Sequence, residues 1–210
     1  LNMDLILVRH GETKYNRADV FRGRANLELD DRGRLQAEAA GAYLSGLDFD
    51  AFYSSPLLRA METAQAIAAS HGGAVAALPD FIDVDYGDWS GKSVAEVRAN
   101  WPHEFETWIS NPEMMIFPDG ESMHEVRERV RRGLQRLEEG DRTRMLLVGH
   151  KLINRVIICA FLGMPLAGIW RIEQCNGAIN VISKGVLGWM VMEMNNTCHL
   201  RGIGSNPQRT

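Results

Sequence analysis

Cysteine is scarce in this chain. Cys159, Cys175 and Cys198 are the three present in 210 residues. The number is odd, the spacing is wide, and no pair stands at metal-ligand distance in the sequence. A zinc module is therefore excluded, and buried, reduced thiols in a cytoplasmic protein are expected. Cys198 beside His199 does not suggest a dyad, because adjacent side chains of an extended segment point in different directions. Long apolar runs are also missing, and none reaches membrane-spanning length. The first run is broken at once by Arg9-His10-Gly11-Glu12, which no secretory signal pattern tolerates. An excess of basic charge is lacking too. Lys and Arg total 23 against 27 Asp and Glu, a net charge of -4. That balance argues against nucleic acid and anionic membranes as partners. There is no internal repeat and no low-complexity linker. The length suits one domain over residues 1–210 with a sizeable core.

What is present is concentrated at the ends of apolar runs. Leu5-Ile6-Leu7-Val8 reads as a buried strand. It delivers Arg9, His10 and Gly11 together. In open α/β sheets ligands collect at the carboxyl ends of strands. Arginine offers a planar fork for phosphate, and histidine can act as nucleophile or acid/base. A second run, Phe49 to Tyr53, leads into Ser54-Ser55-Pro56-Leu57-Leu58-Arg59-Ala60. Ser55 suits a helix N-cap and Pro56 the first helical position. Arg59 then falls in a first turn that already favours an anion. A third run, Met145 to Val148, ends in Gly149-His150. Two arginines and two histidines at three strand ends suggest a phosphate pocket built without metal.

The remaining pattern alternates apolar runs with helical periodicity, as α/β proteins do. Helices are expected over Gly33 to Leu44, Pro56 to Ala69, Met123 to the stop at Gly140, and Leu152 to Leu162. Ser93 with Glu96, and Ser122 with Glu125, have capping-box spacing. Val75 to Leu78 reads as a short strand. Ala178 to Ser183 and Leu187 to Met194 read as a hairpin about Lys184-Gly185. Region 92–120 carries two tryptophans and three prolines without a strand pattern. It reads as a helical cap over the strand ends. The fold expected is a three-layer α/β/α sandwich around a mostly parallel sheet.

Leu7-Val8-Arg9-His10-Gly11-Glu12-Thr13, Ser54 to Ala60 and Val148-Gly149-His150 together resemble the histidine phosphatase (phosphoglycerate mutase-like) superfamily. Gly23, Gly33, the Asp83–Gly91 stretch and Gly120-Glu121-Ser122 stand at that family's spacings, so the resemblance covers nearly the whole chain. The tail Asn195 to Leu200, with Asp85 to Gly91, is similar to the metal-independent phosphoserine phosphatases. The α-ribazole phosphatases are near neighbours. The resemblance implies His10 as nucleophile, forming a phosphohistidine. Arg9, Arg59 and His150 would stabilise the phosphoryl oxygens, with His150 protonated while phosphate is bound. Asn16 would donate to the phosphate. Asp83 would be the general acid/base, where the family usually has glutamate, and its arm is one methylene shorter. Asp85 is a rival, since alternation puts both carboxylates on one face.

Arg22, beside Gly23, would hold a second anionic group such as a carboxylate. Glu121 and Ser122 would order the loop near the phosphate, and His199 would line the substrate pocket. No cofactor and no metal are expected. The expected partner is a small phosphate ester, phosphoserine before α-ribazole phosphate, and a homodimer is compatible with the sequence. A mutase is disfavoured, because the stretch from Asp83 to Gly120 is short. A non-catalytic regulatory module on the same scaffold remains open only through the Asp83 substitution.

Overall fold

The computed structural model describes residues 3–14 and 19–203. Six strands form one sheet: β1 Met3–Arg9, β2 Ala51–Ser54, β3 Val75–Ala77, β4 Arg144–Gly149, β5 Ile179–Gly185 and β6 Gly188–Asn196. Their spatial order is β3-β2-β4-β1-β5-β6. β1 pairs in parallel with β4, and β2 in parallel with both β4 and β3. β5 runs antiparallel to β1 and to β6.

The continuous apolar runs are explained by burial on both faces. Leu5, Leu7, Met145 and Leu147 turn to one side, Ile6, Val8, Leu146 and Val148 to the other. The first set packs under α5 (Met123–Glu138) and α6 (Lys151–Phe161), the second under α1 (Asp31–Leu44) and α2 (Leu58–Ala69). Alanines lead the α2 contact, with Ala60 and Ala64 fully buried. Facing them, a side chain at Gly41 of α1 would crowd the Ala66 carbonyl. Small residues thus let the two helices approach closely. This is the three-layer sandwich expected, on a mixed sheet whose parallel part holds four strands.

Two further helices, α3 (Val94–Asn100) and α4 (Pro102–Ser110), occupy the region read as helical. Trp108 packs edge-on against Phe117 and Trp170 and joins the same core as α5 and α6. Both capping boxes form. Among the described residues no helix is long and apolar enough to cross a membrane.

Three local expectations need correction. α1 starts two residues before Gly33, because Asp30 caps it by accepting the Gly33 N–H at 2.8 Å. α2 starts at Leu58 with Leu57 as its cap, so Ser55 and Pro56 lie ahead of the helix. The hairpin turns at Val186-Leu187 rather than at Lys184-Gly185. Gly185 pairs with Gly188, whose φ of 104° supplies the left-handed bend, and the two apolar tip residues are left exposed.

Candidate active site

Parallel pairing decides where the site lies. β1 and β4 are in register with Arg9 opposite Gly149, and β2 joins β4 with Ser54 opposite Val148. All three strands therefore end along one edge of the sheet, which brings Arg9-His10, Ser55 and His150 together. The His10 N–H donates to the Gly149 carbonyl at 3.1 Å. The chain then turns at Gly11, which lies against Gly33 so closely that a side chain on either would collide with the other's backbone neighbourhood. That approach seats the start of α1 beneath the site.

Arg9, His10, Arg59 and His150 are all buried. Arg9 Nη1 donates to the Gln174 carbonyl at 2.6 Å. Burial, with Arg22 and Arg155 nearby, pulls the Arg9 guanidinium down to about 9, so it remains charged at neutral pH. Arg59 is fixed by the Ala25 carbonyl at 2.7 Å and the Gly23 carbonyl at 2.8 Å. Its Nη2 also donates to Asp83 Oδ2 at 2.9 Å. The His10 and His150 rings stand 5.2 Å apart, centre to centre. His10 Nδ1 lies 2.7 Å from the Gly11 carbonyl. His150 Nε2 lies 2.7 Å from Ser55 Oγ, and its Nδ1 is 3.6 Å from Asp83 Oδ2.

Both imidazoles are pushed well below the usual histidine range. For His10 the causes are burial, then Arg59, His150 and Arg9; for His150 they are burial, then Arg59, Arg9 and Arg129. Before ligand binds, both rings are therefore neutral. The protonated His150 expected from the sequence applies only once a dianion has entered. A lowered pKa means that His10 loses its proton at lower pH than a free histidine. The acid limb of kcat/KM for p-nitrophenyl phosphate should accordingly lie below the ordinary value of 6.5. A pH–rate profile checks this, and a midpoint at or above that value contradicts it.

Asp83 is delivered by α5. Arg129 Nη1 donates to the Asp80 and Ile82 carbonyls at 2.8 and 2.7 Å, and Nη2 to the Asp83 carbonyl at 3.3 Å. Arg24 Nε adds a bond to the same carbonyl at 3.2 Å. Pinned this way, the shorter aspartate arm still reaches Arg59. Asp85 does not share its face. Its Oδ1 accepts the Gly87 N–H at 3.1 Å and its Oδ2 pairs with Arg24 at 3.3 Å. The segment is not a strand, so alternation does not hold there.

A sequence model of the histidine phosphatase superfamily (branch 1) matches residues 5–197. The chain belongs to the histidine phosphatase superfamily. Phosphoserine phosphatase 1 of Hydrogenobacter thermophilus is 34% identical over 197 residues, covering 93% of each chain. The adenosylcobalamin/α-ribazole phosphatase of Escherichia coli is 30% identical over 186 residues, covering 87% of this chain and 92% of its own. A mutant phosphoserine phosphatase from Entamoeba histolytica, solved with phosphoserine, superposes with a TM-score of 0.83 at 26% identity, covering 94% and 99%. The protein is thus a phosphatase.

The other residues of this histidine phosphatase fall in different places. Arg22 is close enough to Asp83, Arg59 and Arg9 for mutual electrostatic influence, so it is brought to the pocket. Glu121 serves the loop. Its carboxylate takes Arg129 at 2.9 Å, Arg24 at 2.9 Å and the Asp85 N–H at 3.1 Å. It orients the arginines that hold Asp83, and no contact with the histidines is seen among the described residues. Ser122 is committed to capping α5 through Glu125 rather than to substrate. His199 is half-buried in the tail, with Nε2 3.0 Å from the Gly177 carbonyl and its ring against Tyr43. Gly23 supplies its carbonyl to Arg59 and bends at φ 47°. Asn16 lies outside the described residues.

One functional residue was missed. Ser55, read as a helix cap, holds His150 instead. Only its position beside the arginine-bearing turn hinted at that. Its oxygen also lies 3.4 Å from the Leu57 N–H, as an acceptor. The hydroxyl proton is then free for His150 Nε2, which leaves Nδ1–H of His150 turned toward Asp83.

Proposed function

We propose that this phosphatase hydrolyses a small carboxylated phosphate monoester, phosphoserine first, through a phosphohistidine on His10. The observation that carries the reading is the His10 Nδ1 bond to the Gly11 carbonyl. A carbonyl only accepts, so Nδ1 holds the proton and Nε2 keeps its lone pair. A neutral imidazole fixed in this tautomer is ready to attack phosphorus. In the first step the Nε2–P bond forms while the ester P–O bond breaks, and the leaving oxygen takes the proton of Asp83. In the second, water attacks phosphorus, the N–P bond breaks and Asp83 takes a proton from the water. Phosphate leaves and His10 returns to its starting state. Arg9, Arg59 and the Nδ1–H of His150 face the equatorial oxygens, where charge is spread in the transition state.

Phosphoserine is favoured over α-ribazole phosphate because Arg22 adds a cation at the pocket and a phosphoserine phosphatase is among the relatives. In this reading the protein works in the cytoplasm, which suits its free thiols at Cys159, Cys175 and Cys198.

A panel of phosphate monoesters, ranked by kcat/KM in excess chelator, tests the proposal. Phosphoserine is expected to lead and chelator to leave the rates in place, because protein cations already meet the phosphoryl charge. Loss of activity on chelation, restored by a divalent metal, would overturn the cofactor-free mechanism. If α-ribazole 5′-phosphate leads, the substrate assignment moves to the second reading.

A further inference from the structure

Lys151 is an odd residue for its position. It is the first residue of α6, directly after His150. The N-terminus of a helix already carries positive potential, so a lysine there opposes the macrodipole. It is not a solvated lysine either, since its side chain is only 17% exposed. Its Nζ lies 3.4 Å from Glu173 Oε1. The same carboxylate oxygen accepts the Gln174 N–H at 2.8 Å, and the Gln174 carbonyl is the one that holds Arg9. Lysine and phosphate-binding arginine therefore share one short loop.

Arg155 stands one turn along α6, with its Nε on the Ile172 carbonyl at 2.6 Å and its Nη2 4.0 Å from Glu173. The backbone bond and its place over the Trp170 ring fix Arg155. Lys151 has a flexible stem and a carboxylate partner that is 38% exposed. Arg22 approaches from the side of Asp83 and Arg59.

Arg9, Arg59, Arg22, Arg155 and Lys151 face the carboxylates of Asp83 and Glu173 in one electrostatic neighbourhood. Both histidines are neutral. A bound phosphate group brings a charge of roughly −2. Arg9 and Arg59 meet that charge, and Lys151, held by the half-exposed Glu173, is placed to meet a second anionic group. Burial first, then Arg155 and Arg9, pull the Lys151 ammonium down to about 8 despite Glu173.

We infer that Lys151, with Arg155 one turn along α6, forms a second anion subsite that selects phosphate esters bearing a carboxylate. The inference rests on the phosphatase reading above and names the residue behind its specificity. Glu173 occupies Lys151 in the empty enzyme. An entering carboxylate takes its place, so Glu173 competes with substrate.

O-Phosphoserine and phosphoethanolamine test this, since they share a skeleton and differ by the carboxylate. Lys151→Gln should lower kcat/KM for phosphoserine about tenfold or more, chiefly through KM, the loss expected for one charge-assisted hydrogen bond. Phosphoethanolamine should change by less than about threefold. Lys151→Arg should recover most of the preference. Glu173→Gln should lower KM for phosphoserine, a sign that partial unfolding cannot imitate. Equal losses on both esters with Lys151→Gln, or a raised KM with Glu173→Gln, would overturn the subsite. Should the unaltered enzyme release phosphate from neither ester nor from p-nitrophenyl phosphate, the phosphatase reading fails and the subsite with it.

Discussion

Replacing His10 by alanine is expected to reduce turnover by roughly 10⁴-fold or more, the scale seen when a covalent nucleophile is removed. The fold should persist. His10 contributes one side-chain hydrogen bond, to its neighbour Gly11, while its backbone stays tied to the Gly149 carbonyl and to Asn176. Thermal unfolding followed by circular dichroism checks that point. Acid quenching during turnover of ³²P-labelled substrate should trap an acid-labile phosphoenzyme in the unaltered protein and none in the variant. Full activity in a folded His10→Ala protein would sink the assignment, since among the described residues His10 is the pocket histidine whose ring proton is fixed by a carbonyl.

Asp83→Asn should divide substrates by leaving group. An alkoxide such as that of phosphoserine needs a proton in the transition state, whereas nitrophenolate departs with little help. General acid catalysis contributes about 10² to 10⁴-fold, so kcat for phosphoserine should fall by that order and for p-nitrophenyl phosphate much less. Asparagine can still accept from Arg59, and Arg59 keeps its bonds to Gly23 and Ala25. The phosphate pocket therefore stays assembled, and the loss reads as a proton rather than a collapse. Asp85→Asn provides the comparison. Asp85 is engaged with Gly87 and Arg24, so its replacement should act on both substrates alike and more mildly. The reverse pattern would move the general acid to Asp85.

The two carboxylates show where a linear reading stops. Two residues of the same type, two apart, are equivalent to any rule of spacing. They diverge because Arg129 on α5, 46 residues away, grips the carbonyl of Asp83, while the Gly87 N–H claims the Asp85 side chain. Ser55 shows the same limit. Its type and the following proline fit a helix cap, yet His150, 95 residues later, takes the hydroxyl. Glu121 stands at a position that suits a pocket by resemblance, but its carboxylate is used by Arg24 and Arg129, and the Nε2 of His199 lies on the Gly177 carbonyl.

The sequence by itself determined what depends on neighbours along the chain. Apolar runs buried on both faces marked β1 and β4, Ser-x-x-Glu spacing marked the starts of α3 and α5, and Arg-His-Gly at the end of a strand marked the edge where the site lies. Strand ends then had to gather along one edge, because parallel pairing leaves them nowhere else to go. The tertiary structure alone decided protonation and partnership. Neutral His10 and His150, the hold on Asp83, the grip of Ser55 and the lowered Lys151 ammonium all arise from burial and through-space contacts. Those quantities scale with distance in the folded molecule, and residue order does not encode that distance until the sheet has closed.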